Sequence, residues 1–262
     1  YLLCISVYYI TDMMWGLSLH YYTIPGPWEH KGSATEFTRD DFFRTMAYAL
    51  NIENAIVKQD SVMSIYDPEK RVAMVVDEWG TWFDVEPGTN PGFLYQQNTM
   101  RDALVAALTL NIFNNHADRV RMANLAQVVN VLQSVILTNG SQIVLTPTYH
   151  VFDMYKVHQD AHLIPTTVET ATITDGEWTL PQVNASASFD ANGRMHLTIA
   201  NLSPDKECQV SCPISSDYKI ISQSQLLTAK NIADHNTFES PNNVHLSTFD
   251  TSRSEERRVG KE

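Results

Sequence analysis

The chain has 262 residues, 44% of them hydrophobic, which is typical of a globular protein with a sizeable core. Its formal net charge is −12 and no basic patch is visible, so we expect no nucleic-acid partner. No run approaches the roughly 18 apolar residues that a membrane-spanning helix needs, so we expect no membrane partner. The three cysteines form no complete disulfide framework: Cys208 and Cys212 could bond, but we expect two small apolar residues of a strand. No Cys/His cluster has zinc spacing, so the sequence predicts no metal and no other cofactor.

Strand-like and helix-like stretches alternate over the first part of the chain. Thr38, with Asp41 three residues later, is typical of a helix start. The predicted elements are a strand over residues 16–22, a helix from Thr38 toward Met63, a strand over 71–77, a helix over 95–115 and a strand over 118–127. This order is the pattern of parallel α/β architecture.

Polar side chains follow these strands at their carboxyl ends. His20 and Tyr22 close the first strand, Glu78 the second and Gln127 the third. Because function gathers at the carboxyl ends of the strands in parallel barrels, we expect a functional site there.

The second strand, VAMVVDEWG, carries the strongest candidate for a catalytic group. A buried strand that ends in a carboxylate places it at the rim of a sheet or barrel, which favours Glu78. The alternative is that Asp77 and Glu78 simply end a strand where it meets solvent. Trp79, Trp82 and Phe83 favour the functional interpretation, because exposed rings beside a carboxylate are typical of a sugar site.

After about residue 164, short alternating segments rich in Thr, Val, Ser and Asn predict a small antiparallel β-sandwich. Residues 183–189 and 194–201 flank an Asn-Gly turn and predict a hairpin. Residues 207–214 and 218–227 predict further strands.

The two ends of the chain have an unusual composition. Residues 1–10 are apolar but lack the charged region and cleavage site of a signal peptide, and the compartment stays open. Residues 252–262 hold four basic and three acidic side chains. They are either a disordered charged tail or, as we expect, a non-native scar of sequence assembly.

At DEWGTW, residues 77–82, the chain resembles glycoside hydrolase family 51, the α-L-arabinofuranosidases. The resemblance covers roughly residues 15–250. Its other segments are PGFLYQQNTMRDA at 91–103, FNNHADR at 113–119, ANLAQ at 123–127, LTPTYHVF at 145–152 and ADHNTF at 233–238.

The resemblance implies a retaining glycosidase that releases terminal non-reducing α-L-arabinofuranosyl groups from arabinan, arabinoxylan and related chains. It implies the C-terminal part of a (β/α)8 barrel over residues 1–160 and a β-sandwich over residues 161–251. The implied roles are Glu78 as nucleophile, Tyr22 and Gln127 as sugar contacts, Trp82 as a ring beside the next subsite, and His20 as a residue that orients the surroundings of the nucleophile.

Retaining hydrolysis also needs a second carboxyl group, roughly 5 Å from the nucleophile, as acid and base. In the family this is a glutamate that follows an asparagine, upstream of the nucleophile, and no Asn-Glu pair precedes Glu78. Glu29, Glu36 and Glu53 are better explained as solvated surface acids. We therefore expect the acid/base to lie outside this chain, and the chain alone to have little or no activity.

Two other interpretations stay open. The protein could be another retaining glycosidase of the barrel class, acting on xylosides or β-glucans. The sandwich could be a carbohydrate-binding module, but residues 166–250 hold a single tryptophan, Trp178, so a structural role beside the barrel is favoured. The resemblance is compatible with a homo-oligomer and leaves the linkage preference open.

Overall fold

The computed structural model describes residues 13–213 and 224–249. The apolar segment 1–10, most of the predicted strand 218–227 and the segment 252–262 lie outside the described residues. No helix in the described part is long and apolar enough to cross a membrane.

A parallel three-stranded sheet organises the first part of the chain. It consists of β1 (Gly16–Thr23), β2 (Ala73–Thr81) and β3 (Val120–Leu125), in the order β1-β2-β3. The helices α1 (Arg39–Tyr66) and α2 (Met100–Asn115) connect them. The parallel pairing of β1 with β2 and of β2 with β3 confirms the α/β interpretation of this part.

Helix α1 begins as the sequence predicts. The Thr38 hydroxyl accepts a hydrogen bond from the Asp41 N–H, and the Asp41 carboxylate accepts one from the Thr38 N–H, so both partners of a capping box are present. The helix continues past Met63 to Tyr66, and it ends at Asp67, where Asp67-Pro68 is expected to break it. Its core-facing side chains include Phe42, Phe43, Met46, Ala49, Ile52, Ile56 and Met63.

Helix α2 begins at Met100, so the prediction of a helix from Tyr95 was wrong. A short 3-10 turn over Pro91–Phe93 precedes it, and Leu94 lies in the left-handed region with φ +52°. Thr99 and Asp102 form a second capping box, which fixes the start of the helix.

The carboxyl-terminal ends of β2 and β3 also differ from the predictions. β2 continues to pair as far as Thr81, so Asp77 and Glu78 lie within the strand and do not end it. β3 ends at Leu125, so Gln127 lies beyond the strand and does not close it.

The main core lies between this sheet and its helices. Met74, Val76 and Trp79 of β2 face the helices, and the Trp79 ring meets Phe113 edge-on and stacks on Phe152. Alternate side chains of a strand point to opposite faces. The register of β2 shifts between Val76 and Trp79, so the alternation set by Met74 and Val76 does not continue, and Glu78 lies opposite its neighbour Trp79, on the face away from the helices.

A β-rich part follows the hairpin of β4 (Ile136–Asn139) and β5 (Gln142–Leu145) and the helix α3 (Pro147–Tyr155). It contains β6 (His162–Ile164), β7 (Thr172–Asp175), β8 (Trp178–Pro181), β9 (Val183–Phe189), β10 (Met195–Asn201), β11 (Gln225–Leu227) and β12 (Leu246–Thr248). These strands form one antiparallel sheet of order β10-β9-β6 and two strand pairs, β7-β8 and β11-β12.

The predicted hairpin is confirmed, because β9 and β10 pair from Val183↔Asn201 to Phe189↔Met195. Gly193 supplies the positive φ, +72°, that the turn requires. The prediction of a strand over 207–214 was wrong for its described residues 207–213, which form no strand. All of them except Cys208 are exposed, so the segment has no buried face that would hold it in a sheet.

Buried polar side chains join helix α2 and its neighbours to the β9–β10 hairpin. The hydroxyls of Ser186 and Thr198 both donate to the Asn111 side-chain oxygen, at 2.9 and 2.8 Å. His158 Nδ1 lies 2.7 Å from Ser188 Oγ, and its Nε2 lies 3.0 Å from Thr198 Oγ1. Both ring nitrogens therefore have a hydroxyl partner, which suits the neutral imidazole.

This arrangement predicts a pH dependence of stability. Burial, with a smaller contribution from nearby His196, lowers the pKa of His158 to about 4. In the unfolded chain a histidine titrates near about 6.5, so between these values the unfolded state binds more protons and stability falls as pH falls. We expect His158→Gln to reduce this fall, measured as the free energy of urea unfolding from pH 7 to pH 4. The exposed His162→Gln is the control, and equal pH slopes for wild type and His158→Gln would contradict the prediction.

Candidate active site

β1 and β2 bring three of the predicted site residues together on the open face of the sheet. His20 lies opposite Glu78 in the parallel register, after a register shift between Ser18 and His20. The Tyr22 hydroxyl donates to Glu78 Oε2 at 3.1 Å, and His20 Nδ1 lies 3.3 Å from the same oxygen. In the described part of the chain no side chain forms a hydrogen bond or an ion pair with Glu78 Oε1. One carboxylate oxygen is therefore held by two neighbours, while the other is free.

His20 also contacts a second carboxylate. Its Nε2 lies 3.2 Å from Asp77 Oδ1, and the Ser18 hydroxyl donates to that oxygen at 2.7 Å. The hydrogen bond from Ser18, supported by His20, holds the pKa of Asp77 below its ordinary value, so Asp77 stays ionised. An ionised Asp77 fixes the imidazole ring between the two carboxylates. We call Ser18, His20, Tyr22, Asp77 and Glu78 the carboxylate cluster.

The tyrosine of the cluster remains a hydrogen-bond donor. Burial, the hydrogen bond to Glu78 and the Glu78 charge together raise the pKa of Tyr22 to about 12. The phenol therefore keeps its proton at neutral pH, and Oε2 keeps its donor.

Aromatic rings border the cluster. The Trp82 ring meets Tyr22 edge-on at a centroid distance of 5.0 Å, and meets Trp28 edge-on at 5.2 Å. Trp28 is 61% exposed. We call Trp28 and Trp82 the aromatic corner. Trp28 was not predicted, and only the dense Pro and Gly residues of its loop could have drawn attention to it.

The prediction that three rings face the site was correct for Trp82 only. Trp79 and Phe83 are each 1% exposed and belong to the interior. Trp79 lies on the helix-facing side of β2. The Arg101 guanidinium lies over the Phe83 ring, 3.8 Å from the ring centroid.

Gln127 does not join the cluster in this structure. Its side chain is exposed, and its N–H donates to the Val131 carbonyl at 3.1 Å. Of the five predicted site residues, Glu78, His20, Tyr22 and Trp82 are connected by direct contacts, and Gln127 lies outside them.

Buried polar side chains hold the end of β2 in place. Gly80 has φ +143°, and a Cβ there would lie 3.2 Å from the Gln133 side-chain oxygen. That oxygen accepts a hydrogen bond from the Thr81 N–H at 2.8 Å, and the Thr81 hydroxyl donates to the buried Asp102 carboxylate at 2.5 Å. Locked supporting contacts of this kind hold a site in a defined geometry.

Among residues 13–213 and 224–249, no group of three His, Cys, Asp or Glu side chains is arranged so that it could hold a metal ion. The cluster offers a carboxylate, hydroxyl and imidazole partners, and apolar rings at its border.

Comparisons with known proteins agree on one family. A family profile described as the α-L-arabinofuranosidase C-terminal domain matches residues 77–260. The intracellular exo-α-L-arabinofuranosidase of Bacteroides ovatus is 47% identical over 236 residues, which are 89% of this chain and 46% of that protein.

Solved structures give the same result. The family 51 arabinofuranosidase of Xanthomonas axonopodis pv. citri superposes with a TM-score of 0.86 at 42% identity, covering 95% of this chain and 50% of that one. The α-L-arabinofuranosidase of Thermotoga maritima shares the fold, with a TM-score of 0.72 at 21% identity, covering 94% of this chain and 50% of that one. The chain spans about half the length of each of these relatives. It belongs to the α-L-arabinofuranosidases of glycoside hydrolase family 51.

Proposed function

We propose that the protein acts as a retaining glycosidase that releases terminal non-reducing α-L-arabinofuranosyl groups from arabinose-containing polysaccharides or oligosaccharides. The observation that carries the proposal is the geometry of Glu78. Its Oε2 contacts Tyr22 and His20, and its Oε1 is free on the open face of the sheet, beside an aromatic corner. The relatives that share the family are named as arabinofuranosidases.

In the first chemical step, Glu78 Oε1 attacks the anomeric carbon and the glycosidic C–O bond breaks. The leaving oxygen takes a proton from a general acid, and the sugar becomes an ester of Glu78. In the second step, water gives a proton to the same group, now a base, and its oxygen displaces the carboxylate. Tyr22 and His20 position the carboxylate through Oε2 in both steps.

The general acid is not Asp77 in this proposal. A general acid needs a raised pKa, whereas the pKa of Asp77 is lowered by its hydrogen bond from Ser18. No other carboxylate in the described part of the chain contacts the carboxylate cluster. We therefore assign the acid/base to a residue outside the described segments.

We propose that residues 1–160 belong to a (β/α)8 barrel and that residues 161–251 form a β-sandwich. The three parallel strands support the barrel assignment, because β1 and β3 each have one edge without a partner strand among the described residues. Closed barrels leave no such edges. The antiparallel sheet and strand pairs after residue 161 support the sandwich.

The test is hydrolysis of aryl α-L-arabinofuranoside and aryl β-xyloside by the full-length protein, with the configuration of the first product read by NMR. We expect turnover of the arabinofuranoside with retention and little turnover of the xyloside. The 262-residue chain alone is expected to show little or no turnover, because its described part supplies one suitable carboxyl group. Preference for the xyloside, or an inverted product, would overturn the proposal.

A conservative variant tests the role of Tyr22. Tyr22→Phe keeps the ring against Trp82 but removes the donor to Glu78. A hydrogen bond to a charged group contributes about 1.5–3 kcal/mol, so we expect kcat/KM on the arabinofuranoside to fall about 10- to 100-fold. Tyr149→Phe removes a hydroxyl from α3, away from the cluster, and should leave kcat/KM unchanged. Equal activities for Tyr22→Phe and wild type would rule out this role.

A further inference from the structure

The ammonium group of Lys31 lies at the aromatic corner. Lys31 lies in the loop between β1 and α1, with its Nζ 4.4 Å from the Trp28 ring centroid and 5.5 Å from that of Trp82. Among residues 13–213 and 224–249, no carboxylate lies within ion-pair distance of this ammonium group. The chain carries a net charge of −12, so a cation without an acidic partner among the described residues, next to the rings that border the carboxylate cluster, calls for an explanation.

The loop holds this cation in a fixed place. The N–H groups of Lys31 and Gly32 donate to the two oxygens of Asp84, at 3.1 and 3.2 Å. Further along the loop, the buried Arg101 donates to the carbonyls of Ser33 and Ala34, at 3.1 and 3.2 Å. These contacts attach the loop to the segment after β2 and to α2. Because the loop is already ordered, little conformational entropy of the loop is lost when a ligand binds.

The ammonium group retains donors for a ligand. An ammonium group has three N–H donors, and one of them is used by the Trp28 carbonyl, at 2.6 Å. The remaining donors lie beside two rings, of which Trp82 contacts Tyr22, the hydrogen-bond partner of Glu78. Rings and cation are therefore continuous with the carboxylate cluster.

We propose that Trp28, Trp82 and Lys31 form a leaving-group subsite that selects aglycones carrying a carboxylate, such as a uronic acid residue next to the arabinofuranosyl group. The rings take the apolar face of the aglycone, and the Lys31 ammonium pairs with its carboxylate. This inference rests on the proposed arabinofuranosidase function and adds a specificity to it. A purely structural Lys31, which only holds the two rings together, would treat charged and neutral aglycones alike.

The experiment uses two matched substrates, 4-carboxyphenyl α-L-arabinofuranoside and its methyl ester. The ratio of their kcat/KM values is compared between the full-length wild type and Lys31→Met, which keeps the apolar stem. Dividing one ratio by the other cancels the intrinsic reactivity of the two phenols. We expect Lys31→Met to lower the preference for the carboxylate about five- to tenfold, and 0.5 M salt to lower it in the wild type only. Lys58→Met, at an exposed position on α1, is the control.

The outcomes separate the two proposals. If the wild type hydrolyses neither substrate, the proposed function fails. If it hydrolyses both and Lys31→Met leaves the ratio unchanged, the function stands and the inference is overturned. Quenching of tryptophan fluorescence by each substrate provides a second measurement that needs no turnover. A dissociation constant for the carboxylate that Lys31→Met does not raise, relative to the ester, would overturn the inference by itself.

Discussion

Glu78→Ala in the full-length protein is expected to lower kcat on an aryl α-L-arabinofuranoside by on the order of 10⁴-fold, the loss typical of removing a catalytic group. The physical reason is that the free Oε1 is the atom assigned to attack the anomeric carbon, and alanine leaves no atom in its place. Initial rates with the purified variant measure the effect. Glu169→Gln, an exposed carboxylate in the β-rich part, should leave the rate unchanged.

The chemistry of the reaction adds a more specific expectation for the same variant. The space left by the carboxylate can admit a small anion such as azide, which would attack the anomeric carbon from the side that Glu78 occupied. Azide should therefore restore part of the rate in Glu78→Ala and give a β-arabinofuranosyl azide, while Tyr22→Phe should give no such product. A variant that retains wild-type activity, or one whose azide product has the α configuration, would remove Glu78 from its role.

The second large effect concerns stability. Arg119→Met is expected to lower the free energy of unfolding by about 3–5 kcal/mol, because it leaves a buried charge without its partner. The Arg119 side chain is 1% exposed and donates to Asp67 at 2.8 Å and to Asp60 at 2.6 Å. Burial alone would raise the pKa of Asp67, but hydrogen bonds from the Val72 N–H and from Arg119 hold it below its ordinary value. Asp67 is therefore ionised beside Arg119, and the variant takes away one of the hydrogen bonds that offset the burial of its charge.

Urea unfolding of wild type and variant at pH 7 measures this effect. Arg121→Met is the matched control, because Arg121 lies two residues after Arg119, in β3, but is exposed and donates to the backbone carbonyls of Lys70 and Arg71. Its loss should cost less than about 1 kcal/mol. If both variants lower the free energy of unfolding equally, the buried ion pairs of Arg119 do not contribute the expected stability.

Much of the fold could be predicted because its signals are local. Thr38 with Asp41 marked a helix start through contacts three residues apart. Thr99 with Asp102 carries the same signal, which could have corrected the start of α2. Strand ends were placed less well, because pairing across the sheet, and not the sequence of one strand, decides how far β2 continues.

The candidate site could be predicted only where the motif itself carries it. His20, Tyr22 and Glu78 follow from two strand patterns and the family motif, and the structure brings them together. The prediction that Trp79 is exposed was wrong. Adjacent side chains of a strand point to opposite faces, so a Trp79 next to an outward-facing Glu78 is expected to be buried. Lys31 could not have been found in the same way, because its place depends on contacts with Asp84, more than fifty residues away in the chain.

The hydrogen bond from Tyr22 to one oxygen of Glu78 also bears on the second half of the proposed reaction. Once Oε1 carries the sugar, Oε2 becomes the carbonyl oxygen of an ester, and the Tyr22 hydroxyl then polarises that carbonyl, with His20 Nδ1 3.3 Å from the same oxygen. Donors in this position stabilise the negative charge that returns to the carboxylate when the ester is cleaved. In the proposed mechanism, this arrangement would make Glu78 a better leaving group at the cost of some nucleophilic strength, and it would favour turnover over a long-lived covalent intermediate.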